Sequence, residues 1–415
     1  MLAQDSIAEQ RGRFARIVAA MPYADPTELL YGWNAHRELL SPADLAPLWA
    51  EAKQDPRRDR AQWNLYLHVP FCKSICAFCN YKRLKVSSHA ELEKYVEFIV
   101  REAENFAPAL KGASFGAFYM GGGTPSVLSA PQLDRLLTAL HESFAFHPLA
   151  QKTFEYDPAV MTEDRFQVLK GFSFNRYSFG IQSLDPGINA RHNRGPQGRR
   201  HVMEQFELLA RHESDVNVDF LLGLDGTTPE TMLAEIGEIL REGKPYEVCL
   251  YFIYPTPEYM ASHFGGSFPR YNAFLGPFEE KIPPAVRLLA VESGYDLAAD
   301  GGHIIVLRRK ESASKPSRGA FSYCDIPSQI HRPLNLLGLG DSARSRIFGR
   351  LLYRAEYESD RAQPSQRRYR GGAPKPGGRD VRVYLSGGPR HRDNRPGAVQ
   401  KHLRRRDHRG VSRGP

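Results

Sequence analysis

From residue 64 onward, short apolar runs alternate with longer segments whose apolar residues recur every three or four positions. Asn64–Val69 (NLYLHV) predicts a strand, and Leu92, Tyr95, Val96, Ile99 and Phe106 share one face of a helix. Phe115–Met120 predicts a second strand, ending in three glycines (121–123). A helical stripe follows at Leu133, Leu136, Leu137, Leu140 and Phe144, with Ser129 as its cap. The rhythm continues with strands at Lys152–Tyr156, Arg176–Gln182, Val216–Gly223 and Glu247–Tyr254. Helices are expected at Glu163–Lys170, Arg199–Ala210 and from Thr228-Pro229, where a proline suits the first turn.

Six strand–helix alternations imply parallel strands joined by crossover helices. Right-handed crossovers curl such strands into a barrel or part of one; an open doubly wound sheet is the rival. In either fold, chemistry belongs at the carboxyl ends of the strands. Cys72, Gly121, Glu155, Gln182 and Asp219 all fall at or near such ends.

The flanks differ. Residues 1–60 form an N-terminal extension; Trp33, Trp49 and Trp63, the chain's three tryptophans, suggest that this part docks on something, and Asp55–Arg60 reads as a charged linker. Residues 61–255 are the core barrel. Residues 256–355 form a smaller C-terminal region with a helix near Pro283–Val291, a strand at His303–Arg308 and a glycine-bearing run, Leu336–Ala343. Beyond about residue 356 the apolar periodicity stops, and 356–415 reads as a disordered Arg/Gly/Pro-rich tail or an out-of-frame translation.

Charge sharpens this division. Residues 361–415 hold 14 Arg and 2 Lys against 3 Asp, a local charge of +13, which leaves −4 on residues 1–360 of a chain with net charge +9. The basic tail alone would motivate nucleic acid as a partner, and no aromatic or motif pattern accompanies it; we expect no nucleic-acid function. No apolar stretch approaches the roughly 18 residues of a membrane span, and the first residues lack the order of a signal peptide. A cytoplasmic protein without membrane association is expected.

Three of the five cysteines lie within eight residues, in Cys72-Lys-Ser-Ile-Cys76-Ala-Phe-Cys79. That is no disulfide framework. Close-set thiolates favour zinc, Cu(I) or an iron–sulfur cluster. Zinc would want a fourth ligand, for which His68 has poor spacing. Three protein ligands on a four-iron cluster leave one iron open for a cofactor. Cys249 and Cys324 read as small buried hydrophobes.

The C-x3-C-x2-C loop after the first strand resembles the signature of the radical S-adenosylmethionine (SAM) superfamily. Further motifs follow in order: LYLHVPFC (65–72), GGGTPS (121–126), FEYDP (154–158), NRYSFGIQS (175–183), HNR (192–194) and VDFLLGL (218–224). Together they resemble the branch of oxygen-independent coproporphyrinogen III oxidase and its relatives. The resemblance implies a partial (β/α)6 TIM-like barrel of the radical SAM type. It also implies a [4Fe–4S] cluster on Cys72, Cys76 and Cys79, with one or two SAM molecules as cofactor. Tyr66 would lie against the cluster and SAM. The backbones of Gly122, Gly123 and Thr124 would approach the methionine moiety, where a side chain would clash. Glu155, Gln182, Arg194 and Asp219 would hold SAM. No residue is assigned a catalytic role beyond cofactor binding.

Departures from the family pattern bear on substrate. Coproporphyrinogen oxidase proper has a further cysteine where this chain has Tyr81. The haem-binding stretch of the related haem chaperones is not recognisable before Leu336–Ala343, and Leu224-Asp225-Gly226 replaces the usual Leu-Pro-Gly. The expected activity is generation of a 5′-deoxyadenosyl radical that acts on a small-molecule substrate, with methyl or methylene transfer from a second SAM favoured. Porphyrinogen oxidation and a non-catalytic haem chaperone are the alternatives. A reductase or a flavodoxin- or ferredoxin-type protein would supply the electron.

Overall fold

A computed structural model describes residues 38–54, 62–195, 197–301, 304–310, 334–347, 351–356 and 368–372. In chain order, β1 (Glu38–Leu40) and α1 (Pro42–Gln54) precede β2 (Gln62–Val69). A two-residue pair, β3 (Phe71–Cys72) and β4 (Leu84–Lys85), brackets the cysteine loop. The sequence then runs through α2 (His89–Leu110), β5 (Ser114–Gly122), α3 (Ala130–Ser143), β6 (Ala145–Tyr156), α4 (Glu163–Gly171) and β7 (Arg176–Gln182). It continues with α5 (Pro186–Arg191), α6 (Arg199–Ala210), β8 (Asp215–Leu222), α7 (Pro229–Glu238) and β9 (Glu247–Phe252). The C-terminal part holds α8 (Pro257–Phe264), α9 (Phe268–Glu292), the hairpin β10 (Tyr295–Gly301) and β11 (Ile304–Arg309), and β12 (Leu334–Leu339). Three short strands, β13 (Arg344–Ile347), β14 (Leu351–Glu356) and β15 (Arg368–Gly372), complete it.

β2, β5, β6, β7, β8 and β9 lie side by side in that order, and each neighbouring pair is parallel. A doubly wound sheet reverses its strand order; this one does not. Crossovers that always advance one way place every helix on one face and leave the other as a lumen. The side chains divide accordingly: Leu65, Leu67 and Val69 enter the main apolar core under the helices, whereas Tyr66 joins Tyr119, Leu334 and Leu336 on the opposite face. The chain is thus an α/β protein built on a partial (β/α)6 barrel.

The helices form where predicted because caps and stripes agree. Ser129 and Gln132 make a reciprocal capping box on α3, and Thr228 and Thr231 do so on α7. α9 is far longer than the expected Pro283–Val291 and carries Pro277, Pro283 and Pro284 inside it. Its stripe of Tyr271, Leu275, Phe278, Ile282, Val286 and Ala290 is buried throughout. Burial of its five large side chains, at about 1.5–3 kcal/mol each, is of the size needed to offset about 3 kcal/mol per interior proline.

The flanks widen the sheet. β12 pairs parallel with β2, Leu334–Leu339 against Gln62–Leu67, and β13, β14, β15 and β1 follow antiparallel on that side. β11 and β10 extend the other side beyond β9. The expectation that residues after about 356 lack structure is corrected at Arg368–Gly372. All five residues pair with β14, and Tyr369, Arg370 and Gly371 also pair with β1, a backbone ladder that needs no apolar periodicity. The remainder of the tail, residues 1–37, Asp55–Arg60 and Cys324 lie outside the described residues. Trp49 of α1 is fully buried and packs on Trp63 of β2, ring centroids 6.1 Å apart, so α1 docks on the barrel itself.

Candidate functional site

β2 delivers the chain to the barrel mouth, where Phe71–Cys72 pairs with Leu84–Lys85 and closes the base of the cysteine loop. Gly123 and Thr124, just beyond β5, donate their amides to Val69 O (2.7 Å) and Phe71 O (2.8 Å). The Thr124 hydroxyl donates to Cys72 Sγ at 3.4 Å. Cys72, Cys76 and Cys79 are free thiols and half-buried. Burial pushes all three above the ordinary thiol value, Cys72 to about 11, and the neighbouring cysteines reinforce the shift on Cys72 and Cys79. Arg194 opposes it on Cys76, and a hydrogen bond from Tyr81 and the charge of Arg83 oppose it on Cys79.

The glycines answer to the protein before any ligand. A Cβ on Gly122, at φ +117°, would meet the His68 ring at 2.8 Å; one on Gly123 would meet the Pro70–Phe71 backbone at 2.7 Å. Gly121, absent from the predicted site, leaves room for Glu155: a Cβ there would lie 2.4 Å from Glu155 Oε2. His68 is no spare ligand. Its Nε2 faces Lys82 O (3.3 Å), so Nε2 carries the proton and Nδ1 accepts from Tyr66 OH (2.9 Å).

Glu155, Asp219, Arg194 and Gln182 converge beside this loop. Glu155 Oε2 accepts from Gly122 N–H at 3.2 Å. Burial, then the charge of Asp219, pushes the Glu155 carboxyl up to about 8, against the Gly122 amide and Arg194. Burial pushes Asp219 up to about 6, against a hydrogen bond from Asn217 and the charge of Arg176. The cost of placing Asp219 in an apolar strand is met by Asn217, whose Nδ2 donates to Asp219 Oδ1 (3.0 Å) and Ser178 Oγ (2.8 Å). Arg194 donates from Nη2 to Gly180 O (2.8 Å), which leaves its buried Nε without a partner. Gln182 sits at φ +64°, unusual for a side-chain-bearing residue, and its buried Oε1 is also unpartnered.

Sequence reasoning missed the floor of this lumen. Arg176, Glu247 and Arg308 form an ion group in which Arg176 and Glu247 are largely buried and Arg308 is exposed, with Glu247 2.5 Å from Arg176 and 2.6 Å from Arg308. Asn217, Ser178 and Cys249 stack above it. Cys249 is buried as expected, but it faces polar groups: its Sγ donates to Asn217 Oδ1 at 3.4 Å, and it pairs in register with Asp219. The period-2 pattern of Arg176, Ser178 and Gly180 against Asn217, Asp219 and Leu221 carried that signal, masked by equally apolar outward residues.

Three free thiols, two carboxyls whose ionisation burial disfavours, and two orphaned buried polar atoms form a site with unmet bonding capacity. It suits a ligand that brings positive charge and hydrogen-bond donors and acceptors next to an iron–sulfur centre. Among the described residues no three Cys, His, Asp or Glu side chains converge as a single ion's ligands would.

Residues 66–238 match the family model of the radical SAM superfamily. This part of the chain is a radical SAM domain, whose cofactors are a [4Fe–4S] cluster and SAM. Its branch is the one that resembles oxygen-independent coproporphyrinogen III oxidase. That enzyme from Salmonella typhimurium is 30% identical over 173 residues, 40% of this chain and 37% of the relative. The "Heme chaperone HemW" of Lactococcus lactis is 30% identical over 191 residues, 45% and 48% respectively. The chain thus matches less than half the length of these relatives. The solved structure of coproporphyrinogen III oxidase (HemN) from Escherichia coli superposes with a TM-score of 0.65 at 21% identity, covering 86% of this chain and 80% of that one, a likeness of fold. No helix among the described residues is long and apolar enough to cross a membrane.

Proposed function

We propose that this chain is a radical SAM enzyme in which Cys72, Cys76 and Cys79 hold the cluster and Glu155, Gln182, Arg194 and Asp219 hold SAM. Bound to these residues, the cluster would supply the one electron that cleaves SAM to methionine and a 5′-deoxyadenosyl radical, for use on a small-molecule substrate. The observation that carries this reading is the convergence of three free thiols with Glu155, Asp219 and Arg194 at the carboxyl ends of parallel strands.

The side chains divide the work. Tyr66, braced by His68, and Thr124, on Cys72 Sγ, line the cluster side. Gly122 and Gly123 let β5 lie against β2, which brings the Gly122 amide to Glu155. A cationic group bound near Glu155 and Asp219 favours their ionised forms, so binding releases protons. Arg194 and Gln182 contribute Nε–H and Oε1, two of the buried polar atoms that have no partner within the protein. Water is held back by an almost fully buried polar lumen, from Ser178 and Asn217 down to Glu247.

The matched relatives include an oxidase, a haem chaperone and an anaerobilin synthase, none of them named for methyl or methylene transfer, so that expectation finds no support in them. Oxidation of a coproporphyrinogen-like substrate and a chaperone role remain the alternatives, and Tyr81 in place of the further cysteine separates this chain from the oxidase pattern. The electron would come from a small reductase or a flavodoxin- or ferredoxin-type protein. Anaerobic reconstitution tests the reading. We expect about four irons per chain and 5′-deoxyadenosine on reduction with SAM. The Cys72→Ala, Cys76→Ala, Cys79→Ala triple variant should lose both. Zinc in place of iron, or an iron-loaded protein that never cleaves SAM, refutes it; stable haem binding without cleavage selects the chaperone.

A further inference from the structure

The cysteine loop, residues 73–83, projects from the two-residue β3–β4 pair with little support of its own. Its backbone contributes the bond from Cys79 N–H to Cys76 O (3.2 Å). Of the hydrogen bonds that reach its backbone from outside, one, from His68 Nε2 to Lys82 O, lies near its far end, and two come from the turn after α5. Ala77 N–H donates to His192 O at 2.9 Å, and Asn193 Nδ2 donates to Ile75 O at 2.6 Å. This turn belongs to the HNR motif, in which only Arg194 has so far been given a part.

Behind the turn stands a stack of rings. His192 and Tyr259 are fully buried. His192 Nδ1 lies 2.8 Å from Ile188 O, a group that only accepts, so Nδ1 carries the proton and Nε2 accepts from Tyr259 OH (3.3 Å). Tyr259 OH accepts in turn from Asp225 N–H (2.9 Å). His263, one helical turn after Tyr259 in α8, stacks on His192 with centroids 4.7 Å apart and planes 18° apart. Its Nδ1 lies 3.2 Å from Asp225 Oδ2, which also faces Arg191 Nη1 at 3.6 Å. Asp225 is the residue that departs from the family's usual proline, and its side chain fixes the outermost ring of the stack. The loops after β7, β8 and β9 are thereby tied across the open mouth to the loop after β2.

We propose that the His192–Asn193 turn, backed by Tyr259, His263 and Asp225, is a positioning device that holds the Ile75–Phe78 backbone, and with it Cys76, in place before a cofactor arrives. The inference rests on the proposed function only for the identity of the group that the loop receives. A loop pre-shaped in this way gives up less conformational entropy when its thiols are engaged. The same turn sets Arg194 beside Cys76, so loop and cofactor pocket are positioned together.

Two mild substitutions test it in the full-length protein, iron-loaded and again after removal of iron with a chelator. Asn193→Gly removes the bond to Ile75 O while tolerating the local φ of +57°. Tyr259→Phe keeps the ring and deletes the hydroxyl that holds His192. Amide hydrogen exchange is read at Ala77 and, as an internal reference, at Phe118 in β5. In both variants of the stripped protein, Ala77 should exchange roughly five- to tenfold faster, the effect of one lost hydrogen bond, with Phe118 unchanged. The loaded variants should also lose iron to the chelator several-fold faster. Wild-type exchange at Ala77 in both variants overturns the proposal. Equal acceleration at Phe118 overturns it too, because the turn would then support the whole fold. A wild-type chain that takes up no iron would strike the cluster reading, while the comparison in stripped protein would still decide this one.

Discussion

Glu155 offers a test in which function and stability pull in opposite directions. Its carboxyl ionises near 4.5 in an unfolded chain but keeps its proton to about 8 in the fold, chiefly because it is buried and secondly because Asp219 is near. Between those pH values the folded state binds a proton that the unfolded state has released, so this residue lowers stability as pH rises. At about 1.4 kcal/mol per tenfold change in proton affinity, the full effect would be roughly 5 kcal/mol. Glu155 keeps partial access to solvent and titrates together with Asp219, which reduces it. We expect about 2 kcal/mol between pH 5.5 and 8.5. Glu155→Gln preserves shape and still accepts from the Gly122 amide, but it never ionises. Urea unfolding of cofactor-free wild type and variant across this range is the assay. The variant should gain on the wild type by about 2 kcal/mol as pH rises, while its affinity for SAM falls roughly tenfold. Parallel stability curves would show that Glu155 holds no such proton in the fold and refute the reasoning.

Two more predictions follow from the same lumen. Asp219→Asn should keep its iron, since Asp219 is no ligand, but weaken SAM binding roughly tenfold through loss of a charged hydrogen bond of about 1.5–3 kcal/mol; wild-type affinity by titration would remove Asp219 from the site. Glu247→Gln strips the compensating charge from buried Arg176, so unfolding should show a loss of about 3 kcal/mol, and a loss below about 1 kcal/mol would mean that solvent reaches Arg176 freely.

Much of this molecule was legible in the order of its residues. The six strands and their helices carry local patterns, so β7 begins and ends at the predicted Arg176 and Gln182, and the Ser129 cap lies where its spacing put it. The cysteine spacing pointed to an iron–sulfur centre because ligand chemistry is written in neighbouring residues. What only the tertiary structure decided are relations between distant residues. α9 runs through three prolines because its buried stripe finds a partner surface, which no propensity registers. Arg368–Gly372 becomes a strand because β14 and β1 present open edges on either side, so a segment without apolar pattern joins the sheet through backbone pairing. Gly121 mattered because a side chain 34 residues later needs its space, and Asn217 because it meets the charge of Asp219. Periodicity shows which residues turn away from water; which of them meet, and which polar atoms are left for a cofactor, is set by the curvature of the sheet that brings the strand ends together.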